Sequence, residues 1–141
     1  MPVVRNAQFY FNEGFCWTNV LMPTNNESKY IKCRLKVKSV NDVASMSLYN
    51  KYNNTNNAYF VALLNSSFMY NYLKEFINNT VNLQINDFRQ LPIVIPTNSQ
   101  LEQLTEITMA AKKLRMTNSN VVALQELQKQ LEEIVNNLYL Q

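Results

Sequence analysis

Residues 59–76 read YFVALLNSSFMYNYLKEF, the most apolar run of the chain, with the polar triplet Asn65-Ser66-Ser67 at its middle. An uninterrupted core helix does not place these three together, because their side chains compete for backbone hydrogen bonds and favour caps. The triplet is therefore either chemistry or architecture. A serine nucleophile needs a base, and the chain has no histidine. It also has a single glycine, which removes the G-x-S-x-G elbow. A Ser-Lys pair with Lys74 has nothing in the sequence to bring the two together. Architecture remains. Asn and Ser accept hydrogen bonds from the free N–H groups of a helix start. The run thus divides into a helix over 57–64 and a second over 67–77, ended by Asn78-Asn79-Thr80. Leu63, Leu64, Phe68, Met69 and Tyr72 then face one core from two directions.

Upstream, residues 8–22, QFYFNEGFCWTNVLM, predict two short strands or a hairpin turning at Asn12-Glu13-Gly14. Residues 23–28 are a loop by composition. The run KYIKCRLKVKSV then alternates strictly. Ile31, Cys33, Leu35 and Val37 fall on one side of a strand, and Lys32, Arg34, Lys36 and Lys38 on the other. Residues 43–49, VASMSLY, read as its antiparallel partner. Residues 50–57 are an exposed polar loop.

Downstream, VNLQINDF alternates Val81, Leu83 and Ile85 against Asn82, Gln84 and Asn86, as a strand does. LPIVIP follows, and Pro92 and Pro96 confine it to a sheet edge or an extended connector. Ser99-Gln100-Leu101-Glu102 fits a capping box with Glu102 as its acid, and opens a helix to about Met116. Thr117-Asn118-Ser119 turns the chain and caps a last helix to about Leu138. Its Leu124, Leu127, Leu131, Ile134 and Leu138 are spaced as a coiled-coil seam. The fold class is α+β: a small antiparallel or mixed sheet with two packed helices over residues 1–97, then a helical hairpin over 98–141, packed on that domain or extending from it.

The totals narrow the function. With 47% hydrophobic and 16% charged residues, the chain is globular and large enough for a real core. One glycine excludes dinucleotide and phosphate-binding glycine loops, and the lack of histidine excludes most catalytic zinc sites. Cys16 and Cys33 are too few for a zinc site. A disulfide between them is open in principle, but nothing suggests secretion, so reduced strand cysteines are the expectation. Glu75, Asp87, Glu102 and Glu106 lack metal-ligand spacing. No signal peptide and no membrane-length apolar run is present, which reads as cytoplasmic, without a membrane partner.

A net charge of +3 permits nucleic-acid binding without demanding it. Lys32, Arg34, Lys36 and Lys38 recur every ~6.6 Å along one strand face, a spacing that suits phosphates. The same cations suit a solvated face or a guarded sheet edge. Tyr49, Lys51 and Tyr52 stand among asparagines in the 50–57 region, where they could contact bases and backbone, or belong to an ordinary polar loop.

Several of these pieces occur in a familiar order. Gly14-Phe15-Cys16-Trp17-Thr18 resembles a Gly-x-x-Trp-Ser/Thr strand, and Arg34 resembles the lone arginine of the strand after it. Residues 59–96, YFVALLNSSFMYNYLKEFINNTVNLQINDFRQLPIVIP, resemble a run carrying Leu64-Asn65-Ser66, Thr80, Gln84, Asp87 and Leu91-Pro92 in that order. The set is similar to the C-terminal target-recognition (TaqI-like specificity) domain of bacterial N6-adenine DNA methyltransferases of restriction-modification type. That group includes the methyltransferase of phage-exclusion systems and is related to type I specificity subunits. The resemblance covers residues 9–97, and the rest by architecture only.

The resemblance implies a DNA sequence-recognition fragment whose partners are double-stranded DNA and a methyltransferase catalytic domain. Lys32, Arg34, Lys36 and Lys38 would hold phosphates, and side chains of the 41–57 segment, Tyr49, Lys51 and Tyr52 among them, would reach base edges and backbone. The family's catalytic domain carries an Asp/Asn-Pro-Pro-Tyr/Phe motif and a glycine-bearing cofactor loop. This chain has neither, so it should not methylate and should bind no cofactor. S-adenosylmethionine would belong to the catalytic domain of a longer protein. The rival expectation is a protein-interaction module that docks a partner through the apolar sheet and the leucine seam.

Overall fold

The computed structural model describes residues 13–18, 31–36, 45–48, 50, 53–80, 82–117 and 120–140. Three short strands, β1 (Gly14–Thr18), β2 (Arg34–Lys36) and β3 (Ser45–Leu48), form an antiparallel sheet in the order β2-β1-β3. The strand at 45–48 therefore pairs with β1, not with the lysine-bearing strand as its sequence predicted. The reason is burial. Phe15, Cys16 and Trp17 are all buried, as suits a central strand, whereas β2 carries cations and takes an edge. Gly14 opens β1 instead of turning the chain. The remainder of the expected 8–22 hairpin lies outside the described residues.

Helix α1 (Asn57–Leu64) is the centre of the molecule. Seven consecutive residues, Ala58 to Leu64, are buried, so the helix has no solvent face. The sheet covers one side of it, with Phe15 stacked on Phe60 at 5.2 Å, and the long helix α4 (Asn98–Met116) covers another. Each large apolar side chain buried this way contributes about 1.5–3 kcal/mol, more than any single cap. The caps decide where the helices begin and end. Asn56 accepts from the Tyr59 N–H at 2.8 Å, and Ser66 accepts from the Met69 N–H at 3.3 Å to open α2 (Ser67–Tyr72). A π-helical turn, Leu73–Ile77, prolongs α2 and closes with Asn78 N–H on the Leu73 carbonyl at 2.8 Å. The division at Asn65-Ser66-Ser67 is as the sequence predicted.

Val81 of the predicted strand lies outside the described residues, and residues 83–88 are not a strand. Gln84 caps a single helical turn, α3 (Ile85–Phe88), whose Asp87 carboxylate accepts from the Gln84 N–H and from Asn78 Nδ2, both at 2.9 Å. Alternation over so few residues fits a capped turn as well as a strand. Phe88 then stacks on Trp17 at 3.7 Å, fixing α3 to the sheet. Residues 92–97 form a connector without helix or strand, in which the Pro92 carbonyl and the Val94 N–H both meet the Tyr139 hydroxyl, as alternate residues of an extended chain do. Helix α4 starts two residues earlier than the sequence suggested. Thr97, not Ser99, is the cap, and Gln100, not Glu102, is its reciprocal partner: Gln100 N–H reaches Thr97 Oγ1 at 3.3 Å, and Thr97 N–H reaches Gln100 Oε1 at 2.9 Å. Two S/T-x-x-E/Q frames overlap here, and the earlier lengthens the helix.

Helix α5 (Val121–Tyr139) is capped by Asn120, one residue past the predicted turn, and returns along α4. Its buried residues are Leu131, Val135 and Leu138, while Leu124, Leu127 and Ile134 are half-buried. Val135 stands outside the predicted seam because α5 packs against α2 as well as α4, which widens the apolar stripe. The hairpin is joined to the α+β part: Leu104 is fully buried in the common core, and Thr108 Oγ1 donates to the Ala58 carbonyl at 2.8 Å. Among the described residues no helix is long and apolar enough to cross a membrane.

Candidate nucleic-acid interface

The edge strand β2 and the three residues before it hold the described part of the predicted basic face. Ile31 and Cys33 are buried, and Lys32 and Arg34 are exposed. Both flanks of Lys32 are hooked to the α1–α2 junction. Ile31 N–H donates to the Leu64 carbonyl at 3.4 Å. The Asn65 side chain grips Cys33 at both ends, accepting from its N–H and donating to its carbonyl, each at 2.8 Å. An amide side chain thus takes the place of a neighbouring strand. Between the two hooks Lys32 adopts a left-handed backbone, φ 61°, the only non-glycine positive φ among the described residues. A side chain with a Cβ pays roughly 1–2 kcal/mol for that conformation. The hooks supply the compensation, and Lys32 is turned outward.

Arg34 lies beside Cys16 in the ladder and donates from Nε to its Sγ at 3.3 Å, which fixes the guanidinium over the sheet. Lys36 departs from the exposed row: it is only 6% accessible. The register sets it opposite Gly14, where the missing Cβ leaves room for the lysine stem to lie along the sheet. Of the residues expected to contact DNA, Lys32 and Arg34 are exposed, just before and at the start of β2, and Lys36 is withdrawn. Lys38, Tyr49, Lys51 and Tyr52 lie outside the described residues. In the 50–57 loop, Asn50 and Thr55 are tied by two hydrogen bonds of 2.8 and 3.0 Å, leaving Asn53 and Asn54 at an exposed turn.

Ser66 and the two cysteines are buried. The Ser66 hydroxyl donates to the Leu63 carbonyl at 2.6 Å while accepting from Met69. Cys16 and Cys33 are buried free thiols. Cys16 shares a face with Arg34, so Cys33, one residue earlier, belongs to the other face, and the two do not bridge. Burial pushes the Cys33 thiol far above its ordinary range, with the nearby Cys16 adding to the shift.

Sequence reasoning missed what holds the junction from below. Glu132, on α5, accepts from Ser67 N–H at 2.9 Å and Ser67 Oγ at 2.8 Å, placing a carboxylate at the start of α2. Gln128 braces that carboxylate at 2.8 Å and donates to the Asn65 carbonyl at 3.0 Å. Nothing local in the sequence signals these contacts across 63 to 65 residues. Two tyrosines were also missed. Tyr139 Oη donates to the Pro92 carbonyl at 2.6 Å and accepts from Val94 N–H at 3.4 Å, and Tyr59 Oη donates to the Val94 carbonyl at 2.6 Å. Burial pushes the Tyr139 phenol up to about 12, and the Tyr59 phenol is raised by the same cause.

No protein-family model matches the chain, and the comparison with curated proteins finds no match.

Proposed function

We propose that the chain is a target-recognition unit of a DNA adenine methyltransferase of restriction-modification type. It binds duplex DNA and positions a catalytic domain carried outside these 141 residues. The observation that carries this reading is Lys32: an exposed cation held in a costly left-handed conformation, two residues before exposed Arg34 at the start of the edge strand β2. Strained backbone over-determined by its surroundings is typical of working positions. Lys32 and Arg34 hold phosphates and set the register, and the 41–57 segment, with Tyr49, Lys51 and Tyr52, contacts base edges. Lys38 extends the phosphate row. The motif residues act as scaffold: Trp17 on Phe88, Asn65 on Cys33, and Asp87 on Gln84 and Asn78. Adenine methylation, base flipping and S-adenosylmethionine belong to the catalytic domain. This chain binds no cofactor.

The test is duplex binding by fluorescence anisotropy across a salt series. Affinity should fall as salt rises, and Lys32→Glu should weaken binding to all sequences alike and lower the salt slope by about 1. Equal affinity and slope for Lys32→Glu and the unaltered chain would remove the edge from the interface.

A second reading, a protein-docking module, is favoured by the open groove between α4 and α5, where Ile107, Leu127 and Ile134 remain half-buried between Glu106 and Glu133. Binding through that groove would survive the salt that abolishes phosphate contacts.

A further inference from the structure

The connector between Leu91 and Thr97 has two unlike rims. In an extended chain, the N–H and C=O of one residue point to one side and those of the next residue to the other. The carbonyls of Pro92 and Val94 and the N–H of Val94 face inward, onto the hydroxyls of Tyr139 and Tyr59. The outer rim belongs to Ile93 and Ile95. No hydrogen bond among the described residues uses their backbone groups, and their side chains are 39% and 73% accessible. Pro92 and Pro96, which have no N–H, fall on the inner rim. They cost the outer rim no donor.

The five residues Pro92-Ile93-Val94-Ile95-Pro96 also read the same in both directions. An antiparallel pair formed about a twofold axis at Val94 sets Ile93 opposite Ile95 of a second copy, and Ile95 opposite its Ile93. These are hydrogen-bonded pairs, each exchanging both N–H···O=C bonds. Val94 meets Val94, and Pro92 meets Pro96, at the positions where an antiparallel ladder needs no donor from either strand. Every free group of the outer rim then finds a partner. The same patch serves on both copies, so the contact closes as a dimer.

We infer that residues 93–95 form a self-complementary edge through which two copies of this chain pair as antiparallel strands. The seam is short, so association is weak and depends on concentration. It is independent of DNA binding.

Sedimentation equilibrium of the 141-residue chain provides the first measurement. The mean mass should climb from 16.5 kDa toward twice that value as concentration rises. A mass that stays at the monomer value throughout would overturn the inference. Ile95→Pro deletes one outer N–H and touches no inner bond. It should keep the circular dichroism and melting of the unaltered chain and lose the association. Association undiminished in a folded Ile95→Pro chain would also overturn it. The register has its own test. Under mild oxidation, a mixture of Ile93→Cys and Ile95→Cys chains should cross-link, because hydrogen-bonded partners lie at ~5.5 Å between Cα atoms. Neither variant should link to itself, and self-linking of Ile93→Cys at the yield of the mixture would refute the antiparallel pairing.

Discussion

Asn65 does the work of a strand with one side chain. Its amide satisfies both backbone groups of Cys33, while its own N–H and carbonyl are taken by Val61 and Gln128. Asn65→Ala leaves a buried donor and a buried acceptor without partners, each costing roughly 1–3 kcal/mol. The substitution should therefore destabilise the chain by about 2–6 kcal/mol, read as a lower urea midpoint at unchanged slope. It should also release the backbone of Lys32, because one of the two hooks that hold the left-handed turn is lost. Asn65→Asp keeps the acceptor and turns the donor into a carboxylate facing the Cys33 carbonyl, so it should not rescue. A midpoint for Asn65→Ala equal to that of the unaltered chain would contradict the bridging role.

At the scale of elements, α5 carries the sharpest contrast. Val135 is fully buried on a helix that meets both α4 and α2, whereas Leu124 in the predicted seam is only half-buried. Val135→Ala should cost roughly 2 kcal/mol, and Leu124→Ala less, despite the larger side chain removed. Chemical denaturation of the two variants side by side would check the order, and the reverse order would restore the seam as the main contact. This contrast also marks what the sequence could convey. The break between α1 and α2 was legible because Ser66 caps a neighbour three residues away, and the end of α4 at Met116 was legible for similarly local reasons. The partner of β3 was not, since strand pairing is chosen by burial of the central strand. Val135 was not, since a single helix pattern does not say how many neighbours the helix will meet. The basic row was legible as a row. Lys36 is withdrawn opposite a glycine across the ladder, and the turn at Lys32 rests on three hydrogen bonds to a distant helix end.

Across the whole molecule, the last helix and the first are fastened together through the connector. Tyr139 from α5 and Tyr59 from α1 hold opposite ends of Val94, and Phe68 of α2 stacks on Tyr139 at 4.4 Å. Burial keeps the Tyr139 phenol protonated up to about 12, against 10.0 for an ordinary tyrosine. The unfolded chain releases that proton first, so it binds fewer protons than the folded chain between these values. Stability should accordingly be complete below pH 10.0 and fall as pH rises toward about 12. Tyr139→Phe should start less stable, having lost two hydrogen bonds, and show a shallower alkaline decline. Urea midpoints at a series of pH values would measure it, and parallel declines would assign the alkaline loss elsewhere.

The junction at Asn65 also sets how the protein ages. An asparagine followed by serine is prone to slow loss of ammonia: the next backbone nitrogen attacks the side-chain carbonyl, and the ring reopens as aspartate or isoaspartate. In the folded chain the Ser66 nitrogen is bound to the Leu63 carbonyl at 3.2 Å, and the Asn65 amide is gripped at both ends by Cys33. The ring cannot close while those bonds hold. Each unfolding excursion frees them, and an acid formed at that moment lacks the donor that Cys33 requires. Damage at this one amide would therefore accumulate as an irreversible record of time spent unfolded, and each damaged molecule would refold less well than before.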